Sequence, residues 1–450
     1  MQAIKIKSKN IYVLIIALVV TSLSILISYL RYLISGTFFI GSETYFHLNN
    51  LINPLNFYES IISFFIHLFG ESFVVIVLPA ILLFFSILLI SDLIKYFIDS
   101  NSEYFSALFI LVLTPAFLSS FLGLTIISVI SFLIILTMFL YVKNSYFYLL
   151  PILFLFLVDP LIAILLNIFL LIKELLNSNY YGVFTLLFSL TIFSITLLSI
   201  NRLFFLIKQV LFSFDINLLF SFFGGRFGYS LFIIILGLFG LFRSKRSSFE
   251  LISMLSILII SVFYVHLRLV GIFVLVIYSA QSFNYLLKRK WEVPFLGQII
   301  TLLFICMLLF STIIFIKGVI YQEPSLSQIT SLDYLSKVSL PKDAKILSMP
   351  ENAEFISYYT NRDVFVSDFD SKKEILFSKE LILNRDYSEI KSVFQKEKIA
   401  LIIVDFDFMN LVNRPDEGLL FVMNNNANFE KIYYGPEYTI YFFKLWNEKN

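Results

Sequence analysis

Charge is the scarcest ingredient of this chain: only 14% of its 450 residues are Asp, Glu, Lys or Arg. A water-soluble domain carries about a quarter of its residues charged, so most of this chain faces something other than water. There is a single cysteine, Cys306, inside an apolar run, which excludes an intrachain disulfide and a cysteine-based metal site. A formal net charge of +2, with no basic stripe in the polar part, excludes nucleic acid as the expected partner. No short repeat runs along the sequence. What is abundant is apolar and aromatic: 59% hydrophobic residues, including 54 Phe and 25 Tyr. These suit lipid-facing surfaces and interfacial belts.

A bilayer core takes about 20 apolar residues of helix, and chain in lipid is helical because unpaired peptide groups there are costly. Spans are expected at residues 11–30, 72–93, 104–121, 125–142, 146–158, 160–172, 181–199, 229–242, 251–264, 270–287 and 296–317. The sequence thus predicts a polytopic α-helical membrane protein of about eleven helices. Asp159-Pro160 divides two short spans that read equally as one broken helix. The first run follows Lys5, Lys7 and Lys9 and lacks a small-residue cleavage site, so it reads as a retained helix, not a signal peptide.

Loop charge sets the expected orientation. With the N-terminus cytoplasmic, the inner segments hold Lys5, Lys7, Lys9, Lys95, Lys143, Lys173, Arg243, Lys245, Arg246, Lys288, Arg289 and Lys290. The outer loops hold Arg31, Arg202, Lys208, Arg226 and Arg268, twelve against five. Positive loops stay inside, so the expectation is a multi-pass protein of the cell membrane with an odd helix count.

After Lys317 the composition becomes that of an ordinary globular domain. Domains are expected at 1–320, membrane-embedded with a long first outer loop at 31–71, and at 321–450, an extracytoplasmic α/β domain. Strands are expected at 345–349, 364–367, 400–404, 429–434 and 438–445, and helices at 372–383 and 387–398.

The first outer loop is too long to be a mere connector. It reads as a turn, a short helix starting near Thr44, a break at Pro54 and a second helix along the interface. Glu43 then sits at a helix N-terminus, where the dipole favours a carboxylate, and His47 follows one turn later on the same face. Such a carboxylate can take a proton from an acceptor hydroxyl or hold a divalent cation; equally, it can do no more than cap the helix. Asp159 is an acid in a long apolar stretch, by default a functional residue, and otherwise the mark of a turn at the membrane surface. The other outer polar residues come from separate loops: Arg202, Asp215, Arg226, His266 and Arg268. Arg226 lies in a glycine-rich turn that permits close approach of a ligand. Arg268 opens a helix, where its guanidinium can hold a lipid phosphate or simply snorkel to the interface.

Glu43-Thr-Tyr-Phe-His47 after the first helix resembles the acid-x-aromatic-aromatic-His signature of archaeal GT-C membrane glycosyltransferases, which include the catalytic subunit of oligosaccharyltransferase. The likeness extends through Pro54-Leu-Asn-Phe-Tyr58, Thr114-Pro-Ala-Phe117, Phe222 to Gly228, Gly237-Leu-Phe-Gly240 and Leu267-Arg-Leu-Val270, and into Leu347 to Arg362. The resemblance implies a polyprenyl-phosphate-linked sugar donor entering from the outer leaflet, with Glu43 as catalytic carboxylate. It implies Arg268 as the donor-phosphate contact; the loop residues themselves add Arg226 as a second phosphate candidate and His47, Asp159 and His266 in support. Any metal, Mg or Mn, falls to Glu43 and Asp159. Two departures bear on this: the family's usual Asp is Glu here, and residues 119–125 lack the second acidic motif of oligosaccharyltransferases. The competing expectations are a transporter of lipid-linked glycans, which would place its polar groups at the midplane, and an assembly factor indifferent to Glu43. No protein partner is predicted.

Overall fold

The computed structural model describes residues 2–51, 57–98, 100–176, 186–187, 230–243, 248–263, 267–291, 294–341, 343–412, 414 and 416–446. The expected span at 181–199 lies outside them except for residues 186–187, and Arg202, Lys208, Asp215, Arg226, His266 and the glycine-rich turn lie outside them too. Contacts divide the chain into two units: Met1–Tyr29 with Leu55–Val319, and Leu30–Pro54 with Ile320–Asn450.

The first unit is a helical bundle. Helix α1, Gln2–Ser35, begins here and ends in the second unit. It is followed by α3, Phe57–Phe69; α4, Glu71–Phe97; α5, Asn101–Val112; α6, Pro115–Ser119; α7, Ile126–Val142; α8, Leu149–Val158; and α9, Pro160–Leu176. Beyond the undescribed stretch come α10, Leu231–Arg243; α11, Ser248–Phe263; α12, Arg268–Lys288; and α13, Pro294–Ile320. (Helix α2 belongs to the second unit.) Four helices among the described residues are long and apolar enough to cross a membrane: Ile11–Ser35, Glu71–Phe97, Arg268–Lys288 and Phe295–Ile320. Each expected span within the described residues is helical, with one break. The span at 104–121 is two helices, because Pro115 has no N–H to continue the ladder and its ring displaces the preceding turn. Thr312 Oγ1 donates to the Leu113 carbonyl at that break, at 2.6 Å.

Helices α10 and α12 touch at backbone distance. A Cβ on Gly240 would overlap the Tyr278 carbonyl, and one on Gly237 would meet Leu275. The closeness lets Ser279 and Ser282 donate to the carbonyls of Ile233 and Leu236, at 3.0 and 2.7 Å. Small residues at a helix contact are the usual means of association in lipid, where apolar burial gives no driving force.

The second unit has a four-stranded sheet in the order β1-β2-β4-β3: Lys345–Leu347, Ile399–Val404, Thr439–Phe443 and Phe429–Tyr434. β1 and β2 are parallel; the other pairs are antiparallel. Around the sheet lie α14, Leu326–Ser336; α15, Ala353–Thr360; α16, Lys372–Leu383; α17, Tyr387–Glu397; α18, Phe406–Val412; and α19, Gly418–Asn425. β2 is buried along its whole length, and its Ile402 joins Phe394, Phe408, Leu419 and Phe443 in one core. The expected strand at 364–367 does not form. Val364 makes only an isolated bridge to Ile346, because the chain turns at Ser367–Asp370 into the capping box of Ser371 and Glu374.

Leu30–Pro54, expected with the membrane helices, groups with Ile320–Asn450 in the second unit. Its helix α2, Ser42–Asn49, lies against α15.

Candidate functional site

Helix α2 is short and starts from Gly41, whose φ of 83° is a conformation natural to glycine. Thr44 anchors the first turn by donating to the Ile40 carbonyl at 2.6 Å. Glu43 lies in that turn, favoured by the helix dipole, and His47 follows as expected, with Nε2 3.6 Å from Glu43 Oε1. The imidazole is buried, its side chain 4% exposed, whereas the carboxylate is 23% exposed. The imidazole thus lies beside the carboxylate, at ion-pair but not hydrogen-bond distance, on the side away from solvent.

The other face of α2 is fixed by contacts within the second unit. Tyr45 is wholly buried against Phe39, Phe355, Tyr358 and Tyr359, with ring centroids 5.5 to 6.1 Å away. Burial, followed by the neighbouring Tyr359, pushes its phenol well above the usual range, so it stays neutral. Its hydroxyl lies 3.3 Å from Thr37 Oγ1. Phe46 stacks on Phe369 at 4.3 Å. Asn49 Nδ2 donates to the carbonyl and the carboxylate of Glu354 at 3.0 and 3.1 Å. Burial raises the Glu354 carboxyl above its ordinary value, Asn49 works against that rise, and Asp370 and Asp368 add to it.

Arg31 closes this arrangement at its root. Fully buried, it donates from Nε to the Phe39 carbonyl at 2.6 Å, from Nη1 to Gln322 at 2.6 Å and from Nη2 to Glu323 at 3.0 Å. One guanidinium thus binds the start of the loop to the segment that opens the C-terminal unit. The sequence reading counted Arg31 only as loop charge; a lone arginine ending a long apolar run, between Tyr29 and Tyr32, was the available signal.

Asp159 and Arg268 belong to the first unit. Asp159 is buried, and its Oδ1 accepts from the N–H groups of Leu161 and Ile162, both at 3.1 Å, so it caps α9. Arg268 is half-buried in the first turn of α12, where the helix dipole repels a cation and welcomes an anion. On either side of it, Leu267 and Val270 pack on the cluster containing Ile162 and Ala163.

Among the described residues, no three His, Cys, Asp or Glu side chains are grouped to hold a metal ion.

Neither a protein-family model nor a curated protein sequence matches this chain. Solved structures do match in fold. An oligosaccharyltransferase from Archaeoglobus fulgidus, crystallised with Zn and sulfate, aligns over 95% of this chain and 73% of its own, with a TM-score of 0.56 and 14% identity. ArnT from Cupriavidus metallidurans, bound to undecaprenyl phosphate, aligns over 96% of this chain and 97% of its own, with a TM-score of 0.54 and 10% identity. AglB from Archaeoglobus fulgidus, with an inhibitory peptide and a dolichol-phosphate, covers 88% and 70%, with a TM-score of 0.50 and 12% identity. This chain is a membrane protein with the fold of the GT-C glycosyltransferases.

Proposed function

We propose that this chain is a membrane glycosyltransferase, moving a sugar or glycan from a polyprenyl-phosphate-type lipid to an acceptor on the outer face of the cell membrane. The observation that carries the reading is Glu43: a solvent-reaching carboxylate backed by buried His47, on a helix braced by Tyr45, Phe46 and Asn49. The fold shared with ArnT and AglB, captured with undecaprenyl phosphate and dolichol-phosphate, supports the class of donor.

In the proposed reaction Glu43 takes the proton of the acceptor as its heteroatom attacks the anomeric carbon. The bond from that carbon to the phosphate oxygen breaks, with inversion, and its electron pair stays on the lipid phosphate. Arg268 neutralises the charge growing there, an interaction strongest in the transition state. His47 holds Glu43 in register, and Arg226 and His266 are further candidates on the donor side. With no ligand set for a metal among the described residues, no step is routed through one. The N-terminus is assigned to the cytoplasm and the sheet domain to the outside, from loop charge.

Purified protein given radiolabelled polyprenyl-phosphate sugars tests this, wild type beside Glu43→Gln and Arg268→Ala. Transfer or release of sugar by wild type, lost in Glu43→Gln, supports the transferase. Lipid binding without turnover in any protein, across acceptors and divalent cations, would sink it in favour of a non-catalytic carrier of lipid-linked glycans or an assembly factor.

A further inference from the structure

One edge of the sheet in the C-terminal unit gathers acids that glycosyl transfer does not use. β2 and β4 are antiparallel with Val404 opposite Thr439, so Asp405 and Tyr438, the next residue on each strand, leave the sheet together. Asp407 lies two residues beyond Asp405, and Glu437 adjoins Tyr438. The Ser325 hydroxyl donates to the carboxylate of Glu437, and Ser325 is the N-cap of α14, held in a capping box with Gln328. Glu323 stands two residues before it, with its carboxylate against the Gln328 side chain.

The group has a floor and a rim. Tyr438 is 0% exposed, and among the described residues its hydroxyl has no hydrogen-bond partner. The charges of Asp405, Glu323, Glu437 and Asp407 add to burial in raising its pKa well above the usual phenol range. Asp405 is buried too, accepting from Asn352 Nδ2 at 2.8 Å and from the Phe408 N–H at 2.7 Å, and burial raises its pKa. Asp407 and Glu437 are exposed. The charged groups that shift Tyr438, Asp405 and Glu323 are all acids of this same cluster.

A buried hydroxyl with no partner is costly, and a native fold keeps one where something else completes it. The acids around this hydroxyl make a donor carrying positive charge the complementary partner. A metal ion does not fit, because no three of these side chains converge as ligands. An ammonium or guanidinium group does, since its N–H donors reach acceptors set several ångströms apart. We propose that this edge of the sheet binds an alkylammonium or guanidinium group, with Tyr438 Oη and Asp405 as the floor and Glu323, Asp407 and Glu437 as the rim. The group arrives on a basic side chain of a peptide or on a free amine. The site stands whether or not the chain transfers sugar.

Calorimetric titration of the full-length protein in nanodiscs tests it. The probes are N-acetyl-lysine amide, N-acetyl-arginine amide and a Gly-Ser peptide carrying one Lys; the controls are N-acetyl-norleucine amide and Mg²⁺. Saturable binding of a cationic probe is expected, absent for norleucine. It should weaken at least tenfold in Asp407→Asn/Glu437→Gln, two exposed positions that leave the core intact, and severalfold in Tyr438→Phe. Tighter binding of the peptide assigns the source to a polypeptide, and equal binding to a free amine. The proposal fails if no cationic probe binds, if binding survives the double substitution, or if Mg²⁺ alone binds and is lost with those acids.

Discussion

Asn49 on α2 grips Glu354 on α15 twice through one nitrogen, at 3.0 Å to the carbonyl and 3.1 Å to the carboxylate. Those residues are 305 positions apart in the chain, and their contact is part of what fixes Glu43 in space. Asn49→Ala should remove both bonds and leave a buried acid under-satisfied, a loss of about 1–3 kcal/mol. Hydrogen exchange should show α2 opening more often while the strands keep their protection; unchanged α2 protection would mean that the aromatic contacts suffice.

The bundle offers no such signal to sequence reading, and it needs none. Long apolar runs announce helices because lipid permits little else, so spans such as 72–93 and 296–317 were legible to within a few residues. The i, i+4 pairing of Glu43 with His47 was legible for the same local reason. The docking of residues 30–54 was not, because Arg31 finds Gln322, and Phe46 finds Phe369, across most of the chain. Alternation at 364–367 suggested a strand, but the turn that follows it decided otherwise. Helix α14 was missed although Ser325 and Gln328 have the spacing of a capping box.

Replacing Glu43 by Gln keeps the shape and removes the proposed base. Turnover should fall by roughly 100- to 10,000-fold, the usual worth of general-base help, with donor-lipid affinity nearly unchanged. His47→Ala should cost less, through lost orientation, and single-turnover rates on both proteins separate the two.

Arg268→Ala should act on the opposite quantity. Loss of a charge-assisted bond to phosphate is worth about 1.5–3 kcal/mol, or about 10- to 100-fold in lipid-phosphate affinity, and Lys should restore only part of it. Equilibrium binding of polyprenyl phosphate measures this directly.

Four carboxyls of the C-terminal unit, Glu323, Glu354, Asp368 and Asp405, are raised above their ordinary values, chiefly by burial. The folded state therefore binds protons more readily than the unfolded one. The stability this gives is full below the ordinary carboxylate values and is lost as pH rises through the raised ones. Asp343, Glu374 and Asp386 are held low and act oppositely, but all three are fully exposed. Protection of β2 and β4 should thus increase from neutral to mildly acidic pH; a decrease would contradict the burial of these acids.

Gly240→Leu should be worse tolerated than any neighbouring apolar exchange, since its side chain would strike the Tyr278 carbonyl. Overpacking of this kind costs about 1–3 kcal/mol, and thermal stability in detergent is the readout.

The Arg31 clamp also sets an order of events. Its acceptors at Gln322 and Glu323 lie about 290 residues downstream, after the last membrane helix. At a synthesis rate of ~5–20 residues per second, the loop bearing Glu43 waits many seconds for them. Its carboxylate gains its final setting only once the whole bundle has been threaded into the bilayer. A nascent or truncated chain would then hold Glu43, the proposed base, without the frame that aims it, so its setting arrives last, as a built-in check on completed insertion.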